Sequence, residues 1–331
     1  MIEKSAPSLV TDAGSALPER EEIYRVVAER TRNLIAEQGA LLREVACEVL
    51  AGDRHILNER PGTLWPVVVI QSCASAGGNW RKAIWPAVAL EIAMVAADVF
   101  DDVADDDETD SIARFGRATV LTTAVGLLTL AGSAMLRVVE DGCAETVAVR
   151  LGRLLGDSIA AAADGQARGL GQVAVVGDVV DAYRLAAGKS GPLGELAARL
   201  GATIATEDAG ALDLYGAFGW HFAVYGQLVN DALDAAPVGS AKKGDVRQGS
   251  PTVPLVFTRS TGAPKGLDET TLISWERAER QRIADEGGIV LTEVLAIADR
   301  LRAEGALAAL DALGHATRGL HDLLVGRDHG G

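Results

Sequence analysis

Cysteine and histidine are both scarce in this sequence. Its 331 residues include three cysteines, Cys47, Cys73 and Cys143, and five scattered histidines. A disulfide framework or a zinc site needs paired or closely spaced ligands, which these residues do not provide. The sequence therefore predicts neither kind of site.

Positive charge is also in short supply. The chain has 31 Lys and Arg residues against 46 Asp and Glu residues, which leaves a net charge of −15. Such a surface repels nucleic acid and anionic membranes. We therefore expect no nucleic-acid partner, and an anionic substrate would need metal ions or a local cluster of Lys and Arg.

Aromatic residues make up only 4% of the chain, and alternating apolar and polar runs are rare. Strands are therefore not expected. Ala, Leu, Glu and Arg dominate long stretches between Gly and Pro, which favours helices. The pattern predicts helices at 19–51, 80–105, 111–139, 143–163, 174–201, 206–236, 249–260, 268–285 and 289–312. We expect an all-α fold with eight to ten helices packed in one domain.

The ends of the chain differ in composition from its middle. Residues 1–18 contain acidic residues and no apolar run, which predicts a flexible leader and not a signal peptide. We expect the helical domain to span 19–325, followed by a disordered tail at 326–331, and the protein to be cytoplasmic. Residues 118–136 are uncharged and long enough to cross a bilayer, but a helix buried by other helices looks the same. No second such segment is evident, so no stable membrane span is expected.

One apolar helix, residues 83–100, ends in an acidic run that includes Asp101, Asp102 and Asp105. Asp101 and Asp105 are four residues apart and share a helix face. Like charges at this spacing repel, and negative charge near a helix C-terminus is unfavourable unless a cation is bound. Mg²⁺ prefers carboxylate oxygens and phosphates. The alternative interpretation is a solvated acidic loop.

A second apolar helix, residues 211–233, ends in a similar way. Gln227, Asp231 and Asp234 fall on one stripe, with Asn230 beside them. Two such helix ends could face one another across a cavity. Two or three Mg²⁺ ions between them would hold a diphosphate.

Several segments occur in an order that is typical of one family. These are Asp101-Asp102-Val-Ala-Asp105 (DDxxD), Arg114-Phe-Gly (RRG), Gly165-Gln166 (GQ), Lys189-Ser-Gly (KTG), the 227–234 motif (FQxxDDxxD), Lys243-Gly-Asp and Thr252-Val-Pro-Leu. Together they resemble the trans-isoprenyl diphosphate synthase, or polyprenyl synthetase, family and its class I terpene synthase relatives. The likeness covers roughly residues 70–260.

The resemblance implies about ten helices around a deep central cavity, with both acidic motifs at its mouth, and a homodimer. It implies Mg²⁺ ligands and residues that contact the diphosphate. The implied metal ligands are Asp101, Asp102, Asp105, Asn230, Asp231 and Asp234. The implied catalytic residues are Arg114, Lys189, Gln227, Lys242 and Lys243.

The sequence departs from the family where isopentenyl diphosphate would bind. The segment 77–81 resembles GGKxxR but has Asn79 in place of Lys. Phe115 replaces the second Arg of RRG, and Met94 replaces a polar residue. These changes predict a class I terpene cyclase that ionises an allylic diphosphate without condensing it. The alternatives are a trans-prenyltransferase, with Arg81 or Lys82 restoring that pocket or with another acceptor, and a non-catalytic partner subunit.

Four further residues are expected to contact the prenyl chain. The rings of Trp220 and Phe222 could stabilise a carbocation, although ordinary core packing is the favoured explanation for any single ring. Ala97 and Ala96 precede Asp101 by four and five residues, where the family places bulky side chains that close the cavity. The two alanines predict a substrate of about C20 or longer.

Overall fold

The structure, a computed structural model, describes residues 17–52, 55–104, 106–169, 176–237 and 244–327. Most of the predicted leader and tail lie outside these ranges. The described residues contain helices and no strands, which confirms the all-α prediction. The helices are α1 (Arg20–Ala36), α2 (Ala40–Leu50), α3 (Trp65–Ser75), α4 (Ile84–Ala104), α5 (Asp110–Phe115), α6 (Arg117–Leu136), α7 (Glu145–Gly169), α8 (Val179–Ala205), α9 (Ala209–Ala235), α10 (Asp245–Gln248), α11 (Val253–Phe257), α12 (Glu269–Asp285), α13 (Gly288–Ala312) and α14 (Arg318–Arg327).

The helix boundaries differ from the prediction at specific breaks. The predicted helix 19–51 is divided into α1 and α2 by a turn before Gly39. The predicted helix 111–139 is interrupted at Gly116, whose φ of +82° is incompatible with a continuous helix. Three helices of the described residues were not predicted, α3, α10 and α14. α3 is short and apolar on all sides, so it has no helical periodicity to detect.

α4 forms the centre of the hydrophobic core. All residues from Ile84 to Ala96 are buried, including the carboxylate of Glu91. α6, α3 and α1 make most of the contacts with α4, and α8 and α9 complete the core, with the rings of Phe218 and Phe222 fully buried on α9. A helix that is apolar on all faces is stable only inside such a bundle. The acidic end of α4 is thereby fixed at one end of the core.

Glycine allows α8 to approach its neighbours closely. A Cβ on Gly194 of α8 would overlap the Gly219 carbonyl of α9, and a Cβ on Gly219 would overlap the Gly194 carbonyl. A Cβ on Gly165 of α7 would likewise overlap the backbone at Gly188. Backbone contact of this kind brings the polar ends of α7, α8 and α9 together.

Two helical segments in the described residues are long and apolar enough to cross a membrane. They are Trp80–Ala104, which includes α4, and Arg117–Val139, which includes α6. The prediction that 118–136 is the single such segment was therefore wrong. The apolar window of the first segment is 83% buried inside the bundle, and that of the second is 39% buried. Burial explains the composition of α4, whereas α6 leaves much of its apolar surface uncovered.

Candidate active site

A lysine and a carboxylate from two different helices meet at the acidic end of α4. Lys189 Nζ of α8 lies 2.9 and 3.0 Å from the two carboxylate oxygens of Asp101. Gln166 of α7 donates a further hydrogen bond from Nε2 to Asp101 Oδ1. The Asp101 side chain is 13% exposed and that of Lys189 is 35% exposed. Three helices therefore converge on one partly buried carboxylate.

The predicted stripe on α9 lies in the same region. Gln227 Nε2 donates to Asp231 Oδ1 at 2.8 Å, as expected for residues four apart on a helix. Ser190, which follows Lys189, donates to Gln227 Oε1 at 3.0 Å. Asp231 is buried, with 4% of its surface exposed. The hydrogen bonds therefore continue from α8 to the second acidic motif.

Lys189, Gln166, Gln227 and Asp231 line one cleft of about 150 Å³. Its walls come from α7, α8, α9 and the segment around α10. The lining residues are Gly165, Gln166, Ala182, Leu185, Ala186, Lys189, Gln227, Asn230, Asp231, Asp234, Asp245, Ser250, Pro251 and Thr252. Gln166 and Asp245 were recognised in the sequence only as motif positions, and the structure adds both to the site.

The first acidic motif is only partly described. Asp102 is half-buried near the end of α4, while Asp105, Lys242 and Lys243 lie outside the described residues. Among the residues that are described, no three His, Cys, Asp or Glu side chains are close enough to hold a metal ion. The metal ligands therefore remain predictions, as do the roles of the two loop lysines.

Arg114 lies apart from this cleft. Its guanidinium group bridges Glu48 at 2.6 Å and Glu44 at 3.0 Å on α2. It also lies over the Phe115 ring, 4.7 Å from the centroid. The structure thus pairs Arg114 with α2 instead of with Asp101, and its contact with the diphosphate stays a prediction.

The segment that resembles GGKxxR lies at the wrong end of α4. Residues 80–83 form a 3₁₀ turn directly before α4, and Asp101 is in the last turn of that helix. At 1.5 Å per residue, the two sites are about 25 Å apart along the axis. Asn79, Arg81 and Lys82 are therefore too far away to bind an isopentenyl diphosphate that reacts with an allylic cation formed at Asp101. The alignment of this segment with GGKxxR was wrong.

The four predicted prenyl contacts lie below the cleft and outside its lining. Ala96 and Phe222 are fully buried, and Phe222 stacks on Phe218 with ring centroids 5.6 Å apart. Trp220 is half-buried and packs against Gly191 of α8, where any Cβ would clash with the indole ring. Ala97 is also half-buried. Contact with the substrate therefore remains a prediction for all four residues.

A buried polar cluster supports the acidic end of α4 and was not predicted. The Glu91 carboxylate accepts hydrogen bonds from Ile56 N at 3.0 Å and Thr63 Oγ1 at 2.7 Å. His55 lies between Glu91, at 3.7 Å, and Asp98, at 3.6 Å. Burial lowers the pKa of His55, but the hydrogen bond to Glu91 and the charges of Asp98, Glu91 and Asp102 outweigh burial, so its pKa is raised.

A second buried carboxylate joins three helices behind the site. Asp299 of α13 accepts hydrogen bonds from the Tyr183 hydroxyl of α8 at 2.9 and 3.1 Å and lies 2.7 Å from His221 Nδ1 of α9. Burial and this hydrogen bond raise the pKa of Tyr183 to about 12, so its hydroxyl stays protonated at neutral pH. His221 is thus a packed histidine.

Solved structures with the same fold are prenyl diphosphate synthases. A geranylgeranyl pyrophosphate synthetase from the archaeon Geoglobus acetivorans superposes with a TM-score of 0.78, 19% identity, and coverage of 93% of this chain and 98% of that chain. A polyprenyl synthetase from Streptomyces coelicolor A3(2) superposes with a TM-score of 0.75 and 22% identity, and the match covers 92% of this chain and 96% of that chain. A polyprenyl synthase from Caulobacter crescentus CB15, complexed with calcium and isoprenyl diphosphate, superposes with a TM-score of 0.71 and 20% identity. The match covers 92% of this chain and 91% of that chain.

The all-α bundle is therefore the isoprenoid synthase fold of trans-prenyltransferases. The sequence also matches the polyprenyl synthetase family over residues 54–284, which is more than half of the chain. The chain belongs to the polyprenyl synthetase family. None of the curated proteins matches it significantly in sequence.

Proposed function

We propose that the protein is a magnesium-dependent trans-prenyltransferase that ionises an allylic polyprenyl diphosphate of about C20 or longer. The observation that carries this proposal is that Lys189 and Gln166, which both contact Asp101, line the same cleft as Asp231. An ammonium group beside carboxylates is suited to a substrate whose leaving group is a diphosphate bound through metal ions. Family membership supports the same class of reaction.

The donor atoms of the cleft fit magnesium. Carboxylate and amide oxygens are the protein ligands that Mg²⁺ prefers, and the cleft supplies no sulfur or imidazole among its lining residues. We propose that two or three ions are held by the six residues named from the sequence. They are Asp101, Asp102, Asp105, Asn230, Asp231 and Asp234. When bound, the ions would neutralise the charge that develops on the departing diphosphate.

The side chains around the ions have separate tasks. Lys189, oriented by Asp101, donates hydrogen bonds to the diphosphate oxygens. Gln227 holds Asp231 in position and is itself held by Ser190. Lys242, Lys243 and Arg114 are proposed to add further cationic contacts. The buried apolar residues below the cleft exclude water from the cation that remains after ionisation.

A terpene cyclase is the second candidate. Met94 is buried and Phe115 is half-buried, and both are apolar where the family places polar or basic residues. Arg114 is also engaged by two glutamates on α2. These observations favour weak binding of isopentenyl diphosphate, although Asn79 no longer supports that argument.

Incubation with geranylgeranyl diphosphate and Mg²⁺, with and without isopentenyl diphosphate, separates these candidates. A longer prenyl diphosphate formed only with isopentenyl diphosphate is the expected product of a chain-elongating enzyme. A hydrocarbon or alcohol formed without it would establish the cyclase. Failure of the pure chain to release diphosphate in either reaction, or with other prenyl diphosphates and acceptors, would leave the partner-subunit alternative.

We also propose that the protein is a homodimer that pairs through α6. Val125 and Leu136 are 55% and 60% exposed, and Thr122 and Thr129 lie on the same exposed face. No charged residue occurs on α6 after Arg117. An uncharged face of this length is suited to a second copy of the chain.

A further inference from the structure

A second cleft lies at the opposite end of α4 from the proposed active site. Its volume is about 460 Å³, within the range typical of small-molecule sites. α1, the 3₁₀ turn before α4 and the segment after α6 form its walls. The lining residues are Val26, Glu29, Arg30, Asn79, Arg81, Lys82, Ile84 and Asp141. Three cations and two carboxylates line it, and a third carboxylate, that of Glu22, contacts Arg81 from outside the lining.

The three cations are oriented without being fully neutralised. Arg30 contacts the carboxylate of Asp141 and Arg81 contacts that of Glu22, each at 3.4 Å. Both distances are longer than the 2.6 Å contact of Arg114 with Glu48. Lys82 Nζ donates to the Gly142 carbonyl at 3.1 Å, a neutral acceptor. The cations thus keep much of their capacity to bind an anion.

Aromatic rings hold the two guanidinium groups in place. Arg81 lies over the Trp80 ring at 4.3 Å, and Arg30 lies over the Trp85 ring at 4.9 Å from the centroid. Both indoles are buried, so the rings form a rigid support. The ring beneath each guanidinium group restricts its movement, and an oriented guanidinium fork suits the oxygens of a phosphate.

This cleft is separate from the prenyl diphosphate site. Arg81 and Asp101 are separated by nearly the full length of α4, about 25 Å or more along the helix axis. No substrate carbon bound at Arg81 could reach a cation formed at Asp101. A ligand here would act as something other than the second substrate of the prenyl transfer.

We propose that the cleft binds a small phosphate monoester that also carries hydroxyl groups. The phosphate would accept hydrogen bonds from Arg30, Arg81 and Lys82. Hydroxyl groups would donate to the carboxylates of Glu29 and Asp141, which line the same cleft and disfavour a bare polyanion. The volume admits a molecule of that size.

Isothermal titration of the full chain with ribose 5-phosphate tests this assignment. EDTA is included, so that magnesium cannot recruit the phosphate to the acidic cleft. Inorganic phosphate and ribose are titrated in parallel, because each carries half of the proposed recognition. Arg81→Gln and Lys82→Gln are compared with Arg150→Gln, an exposed arginine of α7 that lies outside the cleft.

Saturable binding of ribose 5-phosphate, tighter than that of inorganic phosphate or ribose, is the expected result. Each cleft variant should weaken it roughly tenfold or more, since one charge-assisted contact is lost. Arg150→Gln and Lys189→Gln should leave it unchanged, and circular dichroism should show every variant folded. Binding that is absent, that matches phosphate alone, or that survives both cleft substitutions would overturn the proposal.

Discussion

Lys189 Nζ lies within hydrogen-bonding distance of both oxygens of Asp101, so one ammonium group joins α8 to the acidic end of α4. This contact orients the lysine before any substrate binds. The positive charge of Lys189 also offsets the repulsion between Asp101 and its acidic neighbours. The ion pair therefore makes the two residues dependent on each other.

Removing the ammonium group should reduce the rate of ionisation. We expect Lys189→Gln to lower kcat for diphosphate release by roughly 10²–10³-fold, because a cationic donor to the leaving group is lost. Lys189→Arg keeps the charge and should retain more activity. Arg184→Gln on the exposed face of the same helix is the matched control. Normal kcat in Lys189→Gln would contradict the assignment.

Replacing a proposed metal ligand should change the magnesium requirement. We expect Asp101→Asn and Asp231→Asn to need more Mg²⁺ for half-maximal activity and to lose about a hundredfold in kcat/KM. Initial rates of diphosphate release over a Mg²⁺ series measure both effects. Asp110→Asn, in the acidic segment that follows, should behave like the unmodified protein. An unchanged Mg²⁺ dependence in both ligand variants would exclude these ligands.

The buried carboxylate of Asp299 should matter for stability. Asp299→Asn removes the negative charge that faces His221 and Arg302 and leaves one oxygen in place of two to accept hydrogen bonds, so we expect a loss of about 3 kcal/mol in the free energy of unfolding. Urea denaturation measures this loss. Asp213→Asn, whose side chain is 74% exposed in its ion pair with Arg199, should change stability by less than about 1 kcal/mol.

The raised pKa of His55 predicts a pH-dependent stability. A group whose folded-state pKa is raised stabilises the fold fully below its unfolded pKa of 6.5, and this contribution is lost as the pH rises through the folded-state pKa. The stability difference between the protein and His55→Gln should therefore be largest below pH 6.5 and shrink above it. Denaturation at several pH values without Mg²⁺ measures the difference. Glu91→Gln, which removes a partner of His55, should flatten the same profile.

The exposed face of α6 predicts the oligomeric state. We expect Val125→Glu to convert a dimer to a monomer, because it places a charge in an apolar contact. Light scattering coupled to gel filtration measures the mass. Val290→Glu on α13 is the matched control, since that valine is 60% exposed on another helix. A monomeric unmodified protein would contradict the dimer, and a dimer that persists in Val125→Glu would contradict its location on α6.

Part of the fold and the site followed from the sequence because their signals are local. Long Ala- and Leu-rich stretches predicted the major helices. The i, i+4 spacing of Gln227 and Asp231 predicted their shared face, and the structure confirms it with a hydrogen bond. Lys189 was predicted as a site residue because its segment resembles the KTG motif. The structure places its ammonium group against Asp101, the first residue of the DDxxD motif.

Other features depend on tertiary packing and could not be read from the sequence. α3 has no amphipathic period, because it is buried on all sides. The misassignment of Asn79 is different, because the predicted helix 80–105 already places residue 79 and Asp101 at opposite ends of one helix. The pairing of Arg114 with α2 involves residues 66 and 70 positions apart, so no local pattern indicates it.

The crossing of Gly194 and Gly219 determines how the cleft can open. Backbone contact leaves no side chain that could rotate to let α8 slide over α9, so these two helices move as one rigid unit. The acidic end of α4 lies opposite these two helices, and the ion pair of Lys189 with Asp101 joins α4 to α8. This ion pair is a single contact between side chains and is released more readily than the backbone contact between α8 and α9. Because residues 84–96 of α4 are buried in the core, only the last turn of α4 can move away from α8, and a long prenyl chain would enter at that end.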